Sequence, residues 1–138
     1  MIGTMINNLP TFEFHFTSPV QRFPQVVCLC GSSKFKEEFE HAAQVFTYHG
    51  WIVLSMCFFS HHEKAKDNPN VDRFDRIKPA LDELHKRKID LADLVLFMDV
   101  GGYMGDSTKS ELLYTQQHGK PYAFWRTSEI NFNKLVLR

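Results

Sequence analysis

The sequence has no excess of either charge, no long apolar segment and few cysteines. Lysine plus arginine and aspartate plus glutamate number 16 each, so the 138 residues carry no net charge when histidine is neutral. This balance argues against a general role in binding a nucleic-acid polymer or a membrane surface. No apolar segment approaches the roughly 20 residues of a transmembrane helix. We therefore expect a globular protein in which any anionic ligand is held by a local group of donors.

Cysteine is scarce, with three residues at Cys28, Cys30 and Cys57. This odd number, together with N-terminal residues that lack a basic start and an apolar run, predicts a reduced, cytoplasmic setting. Cys28 and Cys30 could form half of a metal site, but no second cysteine or histidine pair follows at zinc spacing. The pattern therefore favours two buried cysteines on a strand.

Short apolar segments alternate with segments of helical periodicity. Strands are predicted at VVCLC, WIVLSMCFF, LVLFMDV and PYAFW. Helices are predicted after Ser33 as N-cap, from about Ile77 to Ala92, and from Ser107 or Thr108 to near Gly119. The polar segment 60–75 is interpreted as a long loop.

This alternation predicts an α/β protein, a Rossmann-like or flavodoxin-like three-layer sandwich with a mostly parallel sheet of four to five strands. We assign residues 24–138 to a single domain and residues 1–23 to an N-terminal extension. In such a sheet, ligands bind beyond the carboxyl ends of the strands. The turns GSSK, SHH and GGYMGDST all lie at that end, so we expect them to form one site.

The first of these turns is a candidate anion site. Gly31, Ser32 and Ser33 lead into a helix N-terminus, which presents backbone N–H groups and hydroxyls to an anion, and Lys34 adds a positive charge. The alternative is an ordinary strand-to-helix turn with a serine cap. In the second turn, His61 and His62 either contact a ligand or are plain loop residues.

Glu111 has two interpretations. Thr108 and Glu111 fit the capping box, in which the acid folds back onto the cap's own N–H. Alternatively, Glu111 is a carboxylate held one turn into a helix and facing a cleft, where it could attack a substrate. The glycines before it, Gly101, Gly102 and Gly105, would let the backbone approach a ligand closely.

The helix before the third strand carries two further candidates. Its apolar face is predicted from helical spacing, and Lys88 lies within that face while His85 lies on its flank. The residues of this face are Ile77, Leu81, Leu84 and Leu91. Lys88 could extend to the rim, and His85 could be a satisfied residue of the core. Both could instead project into the cleft.

Four segments resemble the nucleoside 2-deoxyribosyltransferase family, which includes 2'-deoxynucleoside 5'-phosphate N-hydrolases and CMP-type nucleotide hydrolases. They are VVCLCGSSKF, KIDLADLVLFMDV, GYMGDSTKSELLY and HGKP. The resemblance implies that Glu111 attacks the anomeric carbon of the sugar. It also implies that His85 replaces the acid which holds the nucleophile and the ribose, and that the Gly-Ser-Ser turn binds the 5'-phosphate.

The resemblance also implies a wider set of residues around the substrate. Those expected to contact it are Gly31, Ser32, Ser33, Lys34, His61, His62, Lys88, Gly102, Tyr103, Gly105, Asp106, Ser107 and Thr108. The GG-x-x-G-x-x-T-x-x-E pattern is also similar to that of cytokinin-activating phosphoribohydrolases, another group that removes bases from nucleoside monophosphates.

Both resemblances imply an N-glycosidase that cleaves the base–sugar bond of a nucleoside 5'-monophosphate or deoxynucleotide. The sugar would pass through a covalent bond to Glu111 and then to water or to another base. No metal or organic cofactor is required, and the family implies a homodimer or higher homo-oligomer. The alternatives are a non-catalytic nucleotide or ADP-ribose-type sensor and a structural subunit with a vestigial site.

Overall fold

The structure, a computed structural model, describes residues 24–58 and 71–125. Predictions that concern the N-terminal extension, His61 and His62, and the chain after Trp125 lie outside the described residues. The strands are β1 (Val26–Gly31), β2 (Ile52–Leu54), β3 (Leu94–Met98) and β4 (Tyr122–Phe124). The helices are α1 (Lys36–Tyr48), α2 (Val71–Leu91) and α3 (Asp106–Gln117), with short 3-10 turns at Ser33–Phe35 and Val100–Gly102.

The four strands form a parallel sheet in the order β2-β1-β3-β4. In the register of the two central strands, Cys28 lies opposite Val95 and Gly31 lies opposite Met98. After β1, the chain forms β2 on one side of β1 and then crosses back to form β3 on the other side of β1. The carboxyl ends of β1 and β3 therefore flank the point where the strand order reverses, which is where open α/β sheets bind ligands.

Helices cover both faces of the sheet, which confirms the predicted three-layer α/β sandwich. On one face, α1 packs Phe39 and Phe46 against Leu29 and Leu96. On the other, Ile89 at the end of α2 packs among residues of β1 and β3. Because β1 and β3 are covered on both faces, their residues are apolar without alternation. No helix of the described residues is long and apolar enough to cross a bilayer.

Several predicted boundaries are wrong. The second strand ends at Leu54 and does not reach residue 59, and α2 begins at Val71 within the segment interpreted as a loop. The cap before α1 is Ser32 instead of Ser33, because the Ser32 hydroxyl accepts a hydrogen bond from the Lys34 amide. A 3-10 turn then separates this cap from α1 itself.

The predicted apolar face of α2 is also wrong. Ile77, Leu84 and Leu91 are 38%, 52% and 70% exposed, whereas Ile89 is fully buried and His85 is 7% exposed. The buried face of α2 is therefore rotated by about 100° around the helix axis relative to the predicted face, which is the angle between successive residues in a helix. The helix buries a histidine in preference to leucines because this face meets β1 and the cavity described below.

Candidate active site

A cavity of about 390 Å³ lies beyond the carboxyl ends of β1 and β3. Its volume is in the range of sites that hold small organic ligands. The lining residues come from the turn after β1, the segment after β2, one face of α2 and the start of α3. They are Gly31, Ser32, Ser33, Met56, Cys57, Lys78, Leu81, Asp82, Leu84, His85, Lys88, Gly105, Asp106, Ser107, Thr108 and Glu111.

Glu111 lies in this lining and does not close a capping box. The N-cap of α3 is Gly105, so Thr108 is already the third helical residue and Glu111 is the sixth. A capping-box acid occupies the third position, from which it can reach the cap's N–H. Glu111 is instead 8% exposed at the cavity wall. The capping interpretation is therefore excluded by the position at which α3 begins.

The surroundings of Glu111 favour its protonated form. Burial raises the pKa of the Glu111 carboxyl from 4.5 to about 7, and the positive charge of His85 opposes this rise. The negative charges of Cys28 and Asp82 add to the rise, while a hydrogen bond from Cys30 lowers the pKa. A carboxyl group with a pKa near neutrality can exchange its proton during a reaction at physiological pH.

His85 lies between Glu111 and the two cysteines of β1. Its Nε2 atom is 3.3 Å from the Cys30 sulfur and 3.7 Å from the Cys28 sulfur. Burial lowers the pKa of His85, but the hydrogen bond and charge of Cys28 and the charge of Glu111 raise it above 6.5 overall. The structure thus confirms that Cys28 and Cys30 are buried on a strand, and it adds a histidine partner that the sequence did not indicate.

The two thiols of this group differ. A hydrogen bond from Cys30, together with the hydrogen bond and charge of His85, lowers the pKa of the Cys28 thiol from 9.0 to about 6, against the effect of burial. Burial raises the pKa of the Cys30 thiol well above 9.0, with the hydrogen bond and charge of Cys28 acting in the same direction. One negative charge is therefore accommodated on the cysteine pair, beside the imidazole.

The Gly-Ser-Ser turn forms part of the cavity wall, as its position after β1 predicts. Gly31 is required there for steric reasons, because a Cβ atom would lie 2.9 Å from the Met98 Cβ atom and 3.2 Å from the Phe39 ring. The absence of a side chain brings β1 close to both neighbours. Ser32 and Ser33 then line the cavity at the start of the 3-10 turn.

Some predicted substrate contacts lie outside the cavity. The Lys34 ammonium is 3.3 Å from the centre of the Tyr103 ring, an exposed cation–π pair. Gly101 and Gly102 are exposed with φ angles of 65° and 80°, and a Cβ atom on either would meet nothing within 4 Å. These two glycines permit a left-handed turn and do not bring the backbone close to the cavity.

Two charged residues of the cavity were missed by sequence analysis. Lys78 donates to the Ser107 hydroxyl at 2.9 Å and forms an ion pair with Asp82 at 3.0 Å. Lys88 was predicted, and its ammonium donates to the Ser55 carbonyl at 2.7 Å. The signal for the missed pair is their helical spacing, since Lys78, Asp82 and His85 recur every three to four residues and share one face of α2.

The arrangement combines a buried carboxyl, an imidazole and the N-terminus of α3 around one cavity, with a thiol pair in contact with the imidazole. The first N–H groups of α3 have no partner within the helix, and they lie beside Ser107 and Thr108 in the cavity wall. Such groups can hold an anion, while the carboxylate can act as a nucleophile or a base. Comparisons of the chain with protein-family models, curated proteins and solved structures found no match in any of the three.

Proposed function

We propose that this protein cleaves the N-glycosidic bond of a nucleoside 5'-monophosphate or deoxynucleotide, with Glu111 as the nucleophile. The observation that carries the proposal is the position of Glu111: it is buried at a cavity wall, six residues into α3, where helix capping does not use it. The turn after β1 and the start of α3, which also line this cavity, supply hydroxyls and backbone N–H groups that suit a phosphate. The resemblance of the sequence to nucleoside 2-deoxyribosyltransferases supports the same assignment.

In the first step, a carboxylate oxygen of Glu111 bonds to the anomeric carbon from the face opposite the base. The carbon–nitrogen bond breaks, and the base leaves with the electron pair and takes up a proton. In the second step, water or another base attacks the same carbon and releases Glu111 as a carboxylate. Two successive displacements retain the configuration at this carbon.

His85 assists by its charge. The charge of His85 lowers the pKa of Glu111 and so opposes the effect of burial. A protonated imidazole beside Glu111 therefore increases the fraction of carboxylate available for attack. His85 also bonds to the β1 cysteines, which hold its ring in place.

The phosphate site of this proposal consists of the Gly31–Ser33 turn, the start of α3 and Lys78. Lys78 already lies on the Ser107 hydroxyl, so a phosphate bound at the α3 N-terminus would have this ammonium beside it. Lys34 is less suited to bind the phosphate, because its ammonium group contacts the face of the Tyr103 ring.

The resemblance further implies a homodimer or higher homo-oligomer, and exposed leucines support it. Leu84 and Leu91 on α2 and Leu113 on α3 are each more than half exposed, at 52%, 70% and 54%. Large apolar side chains at the surface are available for contact with another subunit. Light scattering at micromolar concentration measures the mass, and a monomer with full activity would contradict this part of the proposal.

The proposal is tested with Glu111→Gln, which keeps the shape of the side chain and removes the attacking carboxylate. We expect wild-type protein to release base from at least one nucleoside monophosphate in a panel, measured by chromatography. The variant should lose at least about a thousandfold of the rate, equal to about 4 kcal/mol. Glu37→Gln is the matched control, because Glu37 is exposed in the first turn of α1, and it should keep full activity.

Two outcomes would contradict the proposal. One is a Glu111→Gln variant that keeps a tenth of the wild-type rate. The other is a wild type that binds nucleotides without releasing base from any of them, which would identify a sensor. A 2-fluoro sugar analogue provides a direct check, since it should add the mass of one sugar to the peptide containing Glu111.

A further inference from the structure

Three side chains that can bind a metal converge beneath the cavity. Cys28 and Cys30 point to the same side of β1 because they are two residues apart on a strand. His85 reaches them from α2, and one donor atom from each residue lies within 4.8 Å of the other two. The three residues are 0%, 1% and 7% exposed. Two sulfurs and one imidazole nitrogen thus form a compact, buried group.

The distances in this group fit a tetrahedral metal centre. With zinc–sulfur bonds of about 2.3 Å and zinc–nitrogen bonds of about 2.0 Å, a tetrahedral site separates sulfur from nitrogen by about 3.6 Å. The two sulfur–nitrogen distances here are 3.3 and 3.7 Å. A cation could therefore be accommodated with small side-chain rotations and no change in the path of β1 or α2.

We propose that Cys28, Cys30 and His85 bind one zinc ion, with the fourth coordination position open to the cavity beside Glu111. Soft thiolate ligands together with one imidazole select zinc among the common divalent cations. Three protein ligands and one open position are the arrangement of zinc sites that activate a water molecule. The cavity lies on the open side because His85 and Glu111 belong to its lining, whereas the two cysteines lie behind it.

Charge favours this assignment. Two thiolates balance a divalent cation, so the bound group is neutral and costs less to bury than a single ion. The charged groups around it are Glu111, Lys88 and Asp82, all in the cavity lining. The Lys88 ammonium donates to the Ser55 carbonyl, and Asp82 is paired with Lys78. The proposal does not depend on cleavage of a glycosidic bond, since metal binding needs no substrate. In the metal-bound form, the zinc ion replaces the proton of His85 as the positive charge beside Glu111.

The first experiment uses the full-length protein, purified under reducing conditions and stripped with a chelator. Cobalt(II) is then added as a spectroscopic probe. We expect one equivalent to bind, with a thiolate-to-cobalt charge-transfer band in the near ultraviolet and the intense visible bands of a tetrahedral ion. Zinc should displace the cobalt and abolish these bands. Weak visible bands without charge transfer would show that thiolates are not ligands and would overturn the proposal.

Variants test which cysteines bind. Cys28→Ser and Cys30→Ser should each lose about half of the charge-transfer intensity, and each should weaken zinc binding by at least about tenfold. Cys57→Ser is the matched control, because Cys57 is an exposed cysteine outside the three-residue group, and it should leave both measurements unchanged. The proposal is wrong if Cys57→Ser removes the band or if the two strand variants keep it in full.

A measurement on the wild type covers the case in which the strand variants fail to fold. X-ray absorption at the zinc edge counts the ligands directly and should report two sulfurs with nitrogen or oxygen in the remaining positions. A shell without sulfur, or a disulfide between Cys28 and Cys30 in protein kept reduced, would overturn the assignment. None of these measurements uses a nucleotide, so their failure is distinguishable from failure of the glycosidase proposal.

Discussion

The two faces of the sheet use alternate residues of the same strand for different purposes. Val27 and Leu29 of β1 pack against α1 in a cluster of apolar side chains. Cys28 and Cys30, their immediate neighbours, face the opposite way and contact His85 of α2. Because successive side chains of a strand point to opposite faces, six residues can build a dry core and a reactive group at once.

The α1 face is organised for packing. Phe39 and Phe46 are at most 1% exposed. Phe39 makes an edge-to-face contact with Phe58 at a ring-centre distance of 5.1 Å, and Phe46 makes one with Trp51 at 5.3 Å. Edge-to-face aromatic pairs add stability beyond the area that they bury. This face therefore fixes the position of β1, and with it the positions of the cysteines on the other side.

The α2–α3 face buries the ionisable groups of His85 and Glu111, at a cost in stability. Burying an ionisable group is unfavourable unless partners compensate it. The difference between the faces indicates that substitutions on the α1 side should change stability, whereas the conservative change at Glu111 should change activity and the pH dependence of stability.

The largest expected effect on stability is on the α1 face. Phe39→Ala should lower the free energy of unfolding by about 3–5 kcal/mol, because it removes a fully buried ring and leaves a cavity. Urea unfolding measures the change. Ser110→Ala on α3 is the control, since Ser110 is exposed, and it should change stability by less than about 0.5 kcal/mol. Equal losses of unfolding free energy in the two variants would contradict the expected difference between packed and exposed positions.

A smaller effect, opposite in sign, is expected from Glu111→Gln. Native Glu111 has a pKa of about 7 against an ordinary value of 4.5, so the folded protein binds this proton more tightly than the unfolded chain. Stability therefore falls as the pH rises from about 4.5 to 7, by about 3 kcal/mol in total. Glutamine resembles the protonated acid and should avoid this loss.

The variant and the wild type should thus be equally stable near pH 4.5, and the variant should be more stable above pH 7. Thermal unfolding of chelator-treated protein at both ends of this range measures the difference without a contribution from bound metal. A variant that is less stable than the wild type at pH 8 would show that ionised Glu111 is stabilised by its partners, in contradiction to the raised pKa.

The fold was predictable because its signals are local. The apolar segment beginning at Val26 and the glycine at residue 31 mark a buried strand and its end, and the same reasoning placed β3 and β4. Parallel pairing then brings the turns after β1 and β3 to one edge of the sheet. The turns that contain Ser32 and Thr108 follow from this rule, and the structure places both residues in one cavity. Glu111, for which the sequence left two interpretations open, lies in the same cavity.

The rest depends on contacts between distant residues. The exposed leucines of α2 carry a stronger apolar pattern than its buried face, so periodicity selected the wrong side of the helix. His85 becomes a partner of Cys30 only through packing of α2 on β1, 55 residues away along the chain. The position of Glu111 relative to its cap depends on a one-turn difference in the start of α3, and sequence-based helix boundaries are uncertain by about that much.

Gly31 tests how closely β1 must approach its neighbours. A Cβ atom would lie 2.9 Å from the Met98 Cβ atom, on the α1 side of the sheet. Gly31→Ala should therefore lower stability by about 1–3 kcal/mol through overpacking. Gly119→Ala is unsuitable as a control because its φ angle is +63°, so the comparison is with the Phe39→Ala variant. A larger loss at Gly31 than at Phe39 would show that strand spacing matters more than ring burial.

The smallest expected effect distinguishes Lys78, which lines the cavity, from Lys34, which lies outside it. Lys78 belongs to the α2–α3 side and lies on the Ser107 hydroxyl, whereas Lys34 belongs to the turn before α1 and lies on the Tyr103 ring. If the α3 N-terminus holds a phosphate, Lys78→Ala should weaken binding of a nucleoside monophosphate about tenfold, or about 1.4 kcal/mol. Binding of the matching nucleoside should not change, because it has no phosphate. Lys34→Ala should alter neither affinity by more than about twofold, since its charge is directed at an exposed ring.

Calorimetric titration of both ligands into both variants measures all four values. The assignment of Lys78 would be wrong if Lys34→Ala weakened monophosphate binding more than Lys78→Ala, and the phosphate would then lie at the turn after β1.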